Sequence, residues 1–133
     1  MKACALQAPC PCGRLDAKGK KGLAYGACCG RWLEPDAHGV HALAPDAEGL
    51  MRSRYSAFVL ERADYLRASW AESHRPPQIA FEPGVKWLGL EVRAQRVTGE
   101  NRAEVEFVAR LKPAQGAATR LHERSRFVCA QGR

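Results

Sequence analysis

Leu50-Met51-Arg52-Ser53-Arg54-Tyr55-Ser56-Ala57-Phe58-Val59-Leu60 is the stretch on which the fold turns. Met51, Tyr55, Phe58 and Val59 recur at i, i+4, i+7 and i+8, the spacing of one face of an α-helix. Asp46, directly after Pro45, is placed to cap its N-terminus, and Glu48 puts a negative charge in the first turn, where the helix dipole favours it. An amphipathic helix has to cover something, and the strands further along the chain are what it can cover.

From Val85 the period shortens to two. Leu88, Leu90, Val92 and Ala94 alternate with Gly89, Glu91, Arg93 and Gln95, predicting a strand whose first set faces the helix. Thr98-Gly99-Glu100-Asn101 turns the chain into a second, antiparallel strand in which Ala103, Val105, Phe107, Ala109 and Leu111 share a face. Pro113 to Gly116 turns it again into a third strand, Thr119 to Cys129. Before the strands, Asp64 is expected to cap a short helix with Leu66, Ser69 and Trp70 on one side, and Pro76-Pro77 stops it.

The third strand carries the first functional signal. Leu121, Glu123, Ser125 and Phe127 share one face, and Arg120, His122, Arg124 and Arg126 share the other. If Leu121 and Phe127 face the helix, so do Glu123 and Ser125, and a carboxylate turned toward a core needs a partner. Arg52 or Arg54 is the expected one. Such a group is either a structural ion pair or the floor of a polar pocket in which Arg52, Arg54, Tyr55, Trp87, Glu123 and Ser125 hold a small molecule.

The second signal lies upstream. Cys10-Pro11-Cys12-Gly13 is answered by Cys28-Cys29-Gly30, and each pair sets two thiols close enough to grip one ion while the glycine after it relaxes the backbone. A structural zinc site, a disulfide pair and a redox dithiol all compete for this pattern. The N-terminus has no continuous apolar run of the kind that directs export, which places the chain in the cytoplasm and argues against disulfides; no Cys-x-x-Cys precedes a helix, which argues against redox chemistry. Four thiolates around Zn²⁺ is the favoured reading, a closed site with no open position for catalysis. Cys4 and Cys129 fall outside the pattern, as free or buried thiols.

Arg14 to Gly22, rich in Gly and Lys, reads as a mobile loop, and Tyr25 is expected to pack over the sulfurs. Glu34 to Pro45 has the composition of a connector, with His38 and His41 as solvent-exposed loop residues. Of the net charge of +7 on 133 residues, most sits early: Lys2, Arg14, Lys18, Lys20, Lys21 and Arg31 face a single acid, Asp16. Four thiolates on a divalent ion would offset part of it. Arg14, Lys18, Lys20 and Lys21 are therefore candidate contacts to a polyanion, since such patches attract phosphates without specifying them.

The cysteine pattern with Tyr25 resembles the SEC-C motif, a small zinc-binding module also found at the C-terminus of the preprotein translocase motor protein. Leu50 to Phe58, Asp64-Tyr65-Leu66 with Trp70, Trp87-Leu88-Gly89-Leu90 and Glu123-Arg124-Ser125-Arg126-Phe127 resemble the YchJ family, in the same order. The resemblance implies an α+β, cystatin-like or nuclear-transport-factor-two-like cone, a long helix packed in a curved antiparallel sheet, and it implies Cys10, Cys12, Cys28 and Cys29 as zinc ligands. It implies no activity, because this fold hosts enzymes, binders and scaffolds alike. The expected layout is a zinc-binding motif over 1–33, a connector over 34–46 and a cone over 47–133 that ends, at Arg133, short of the family's last strand segment. The interval between the cysteine pairs is longer than the usual motif has. Two functions follow: a non-catalytic docking module whose basic zinc knuckle meets a protein or ribonucleoprotein, which is the favoured one, or a cone that binds or converts a small molecule in its pocket.

Overall fold

A computed structural model of the chain describes residues 3–128 apart from 16, 17, 20, 43, 71–75 and 82. A 3₁₀ turn, Tyr25–Ala27, leads into the short helix α1, Gly30–Leu33. The helix expected around Tyr55 is α2, Ala47–Val59, followed by α3, Ala63–Ala68. Strands β1 (Lys86–Gly99), β2 (Arg102–Lys112) and β3 (Thr119–Val128) pair antiparallel in the order β1-β2-β3. The layers are those of the cone: α2 lies over β1 and β2, and the central strand β2 contributes Val105, Phe107 and Ala109 to the buried face.

Asp46 caps α2 as expected, its carboxylate accepting from the Gly49 N–H at 2.7 Å. The helix ends where Glu61 takes a left-handed φ of 55° and the Arg62 N–H turns back to the Ala57 carbonyl at 2.8 Å. Arg62 and not Asp64 precedes α3; no side chain caps that helix, and Asp64 contributes only its charge to the first turn.

The inward set on β1 differs from simple alternation. The register slips between Trp87 and Gly89, between Val92 and Ala94, and between Val97 and Gly99. Each slip adds a residue with no partner on β2 and exchanges the two faces beyond it. Trp87, Leu90, Val92 and Gln95 therefore stand opposite Leu111, Ala109, Phe107 and Val105, while Leu88 is 54% exposed and Ala94 turns out. Gln95 meets the first turn of α2, where its side-chain oxygen accepts the Glu48 N–H at 3.1 Å.

Helix α2 buries two faces. Met51, Tyr55 and Phe58 meet the sheet, with the Tyr55 and Phe58 rings 5.6 and 5.9 Å from Trp87. Gly49, Ser53, Ser56 and Ala57, all buried, form a stripe of small residues against which the cysteine segment and α3 pack. Trp32 closes on Gly49, the Ser56 hydroxyl lies 3.6 Å from the Cys10 sulfur, and Ser53 shares a 2.6 Å hydrogen bond with the Tyr65 hydroxyl. One hydrophobic core thus runs from the cysteines through α2 to Phe107 and Ala109.

Candidate metal centre and the cavity behind it

The cysteine segment folds because its backbone pairs across the loop. The Cys10 N–H donates to the Leu23 carbonyl at 2.9 Å, Leu23 to Arg14 at 2.8 Å, and Tyr25 to Ala8 at 2.7 Å. The two ends of the expected loop are thereby held together, with Leu15 bridged to Gly22, while residues 16, 17 and 20 lie outside the described residues. The two motif glycines serve different ends. Gly13 has φ +74°, the left-handed conformation that glycine adopts without strain, and its N–H closes a turn on the Cys10 carbonyl at 3.1 Å. Gly30 makes room: a Cβ there would stand 2.7 Å from the Tyr25 carbonyl and 3.0 Å from its ring. Gly30→Ala is therefore expected to lower unfolding free energy by about 1–3 kcal/mol, the usual cost of overpacking, read as a shift in the urea midpoint; an unchanged midpoint would mean that Tyr25 yields freely.

These turns bring Cys10, Cys12, Cys28 and Cys29 together, all buried, with their sulfurs within 4.8 Å of one another. Tetrahedral ligation at about 2.3 Å per Zn–S bond sets sulfurs roughly 3.8 Å apart, and Cys12 and Cys28 stand at 3.6 Å, well beyond bonding distance. Four close cysteines that can hold a metal ion are consistent with zinc. The electrostatics agree: hydrogen bonds from Cys12, Cys28 and Cys29 pull the Cys10 thiol far below its ordinary value, while hydrogen bonding to Cys10, Cys12 and Cys28 pushes Cys29 far above it. Four thiolates this close would repel one another, and a bound cation would offset that repulsion.

Polar contacts outside the sulfurs fix the knuckle to the cone. Arg52 donates from Nη1 to the Cys12 carbonyl at 3.2 Å and from Nε to Glu48 at 2.8 Å, and Arg14 reaches the same carboxylate at 3.8 Å. Tyr25 is buried beside the cysteines, and its hydroxyl donates to Glu34 at 2.7 Å. Arg62, itself buried, pairs with Glu34 at 3.0 Å. His41 is not a solvent-exposed loop residue: its ring lies 2.9 Å from the Trp32 carbonyl through Nδ1 and 3.4 Å from Asp64 through Nε2, edge-on to Tyr65. His38 remains exposed. Of the candidate polyanion contacts, Arg14 is half-buried against Glu48, Lys18 and Lys21 are exposed, and Lys20 lies outside the described residues, as does Cys129.

The candidate pocket residues divide. Arg52 belongs to the knuckle, whereas Arg54, Tyr55, Trp87, Glu123 and Ser125 line one cavity of about 410 Å³ between α2 and β3. Phe58, Phe107, Leu121 and Phe127 complete its apolar wall. Among the described residues neither Arg52 nor Arg54 forms an ion pair with Glu123, so the expected helix-to-sheet salt bridge is not made. The reason is reach: α2 covers β1 and β2, leaving Leu121 39% exposed and Glu123 in the open. The Arg54 guanidinium stacks instead on Trp70 at 4.6 Å, and burial draws its pKa below the usual arginine range. Burial pushes the Tyr55 hydroxyl up to about 12, opposed by a hydrogen bond from the Gly89 backbone.

A four-cysteine knuckle packed on the long helix of a helix-and-sheet cone defines an NTF2-like protein carrying a SEC-C-type cysteine motif. Residues 46–133 match the family described as "YchJ, middle NTF2-like domain". A UPF0225 protein of Polaromonas sp. is 64% identical over 126 residues, 95% of this chain and 88% of the relative. Another, from Methylibium petroleiphilum, is 58% identical over 94% of this chain and 82% of its own. The chain belongs to the YchJ-like family of UPF0225 proteins. Two solved SEC-C motif containing proteins share its architecture. That of Psychrobacter arcticus has TM-score 0.73 and 30% identity, over 90% of this chain and 71% of that one. That of Rhodopseudomonas palustris has TM-score 0.68 and 33% identity, over 86% and 88%. No helix among the described residues is long and apolar enough to cross a membrane.

Proposed function

We propose that this chain is a small-molecule-binding protein whose cone is held together by a structural zinc ion on Cys10, Cys12, Cys28 and Cys29. Four protein thiolates fill a tetrahedral ion and leave water no position on it, so zinc contributes folding energy and not chemistry. Ligand binding falls to the cavity between α2 and β3. One observation carries this reading: Arg54, Tyr55, Trp87, Glu123 and Ser125, from three separate elements of the chain, converge on a space of about 410 Å³ with aromatic walls. A few polar groups in an apolar, ligand-sized concavity are what a small-molecule site requires. The protein acts in the cytoplasm, where thiols stay reduced and available to the metal.

The test is to fill the cavity. Leu121 lines it and is partly exposed, so Leu121→Trp blocks the space from the open side without a buried clash. After incubation with a small-molecule extract of bacterial cells, the native protein should retain an added mass in native mass spectrometry that Leu121→Trp loses. Retention by both would place the ligand elsewhere, and retention by neither would remove the reading.

A second reading, docking of the knuckle on a protein or ribonucleoprotein, is favoured by the exposed Lys18 and Lys21 beside the closed metal site. It predicts that Lys18→Glu with Lys21→Glu abolishes a salt-sensitive retention on immobilised RNA or on an acidic protein partner.

A further inference from the structure

Arg54 and Glu123 line the same cavity, and neither has an opposite charge within ion-pair distance among the described residues. Arg54 is largely withdrawn from water on α2, and its guanidinium stacks on the Trp70 ring. A cation held there without a carboxylate is costly, and the aromatic face recovers only part of the cost. Glu123 opens onto the cavity from the inner face of β3, opposite Phe107. The helix that carries Arg54 stands away from β3, so the two residues line one space and their charges do not pair.

From this arrangement we infer that the cavity binds a zwitterion with an apolar body, an α-amino acid or a close analogue, its carboxylate on Arg54 and its ammonium at Glu123. The inference rests on the cavity being the ligand site. Arg54 supplies the planar pair of donors that suits a carboxylate. Glu123 and the Ser125 hydroxyl beside it on the strand supply the acceptors that an ammonium needs. Tyr55, Phe58, Trp87 and Phe107 give the ligand's side chain an apolar wall. A ligand with one charge would satisfy one end and leave the other unpaired.

Calorimetry on the native protein can follow titration with L-phenylalanine, L-leucine and L-methionine. Each is compared with its deaminated acid and its decarboxylated amine. At least one amino acid should bind about tenfold or more tighter than either singly charged counterpart, the range of one lost charge-assisted bond. Glu123→Gln should erase the preference over the acid while leaving the acid's own affinity unchanged. Arg54→Gln should weaken amino acid and acid alike. An acid that binds as tightly as its amino acid, or a preference unmoved by Glu123→Gln, would overturn the zwitterion while the cavity stood as a ligand site. Binding of the amines alone would do the same. If none of the nine compounds binds and Leu121→Trp retains whatever the native protein retains from extract, the cavity reading falls with it.

Discussion

Stripping the proposed zinc from this chain is expected to unfold the cone along with the knuckle. The cysteines are not an appendage: Cys10, Cys12, Cys28 and Cys29 belong to the same buried cluster as Tyr55, Leu66 and Phe107. A structural zinc site contributes about 10–16 kcal/mol of apparent binding free energy at neutral pH, whereas a domain's entire net stability is only about 5–15 kcal/mol. Losing the first removes most or all of the second. Chelation under reducing conditions, or Cys28→Ser, should therefore abolish the cooperative melt seen by near-ultraviolet circular dichroism, where Trp87 and Tyr55 report on the sheet face of α2. If the aromatic signal from that face survives while only the knuckle loosens, the metal serves the knuckle alone.

Trp32→Ala should produce the next largest loss. Trp32 is 4% exposed, its ring closes on the first turn of α2 at Gly49, and its carbonyl meets His41. Truncating a buried tryptophan costs about 3–5 kcal/mol because the surroundings collapse only partly into the space. Here the space opens between knuckle and helix, so the two should uncouple before global unfolding. Equilibrium urea unfolding, followed by far-ultraviolet circular dichroism, should show a lower midpoint with a broadened or two-step transition. Leu15→Ala, at a position 53% exposed, is the control and should change the free energy by less than about 0.5 kcal/mol. Equal behaviour of the two variants would mean that the knuckle is not docked as described.

The fold was legible where one signal governed each residue. The period of Met51, Tyr55, Phe58 and Val59 and the cap at Asp46 identify α2 because helix spacing and capping are local properties. Strand β2 keeps an unbroken register with β3 and its inward set Val105, Phe107 and Ala109 is buried as expected, although Val108 on the other face is buried as well. Strand β1 is interrupted by three register slips; Gly89 and Gly99 stand at two of them, glycine in a strand being a common mark of a bulge, whereas the slip between Val92 and Ala94 has no such mark. Leu88 was thereby assigned to the wrong face.

The second buried face of α2 had a signal that an apolar count overlooks. Gly49, Ser53, Ser56 and Ala57 repeat at the same i, i+4, i+7, i+8 spacing as the large residues, and small side chains at helical spacing permit close approach. That stripe is where the knuckle docks. Arg62 and His41, which tie the knuckle, the connector and α3 together, could not be found in advance, since their partners Glu34, the Trp32 carbonyl and Asp64 come from other elements. The same limit governed Arg52. Its position on the helix was readable, but its choice of the Cys12 carbonyl over Glu123 depends on how far α2 stands from β3.

The most direct test of the account is a native mass spectrum of the untagged protein, purified without chelator and with its thiols reduced. One zinc ion is expected on every folded chain, and none on Cys12→Ser or Cys28→Ser. A folded, fully reduced chain carrying no metal would contradict it, because four buried cysteines would then pack as thiols alone and the core would owe nothing to an ion.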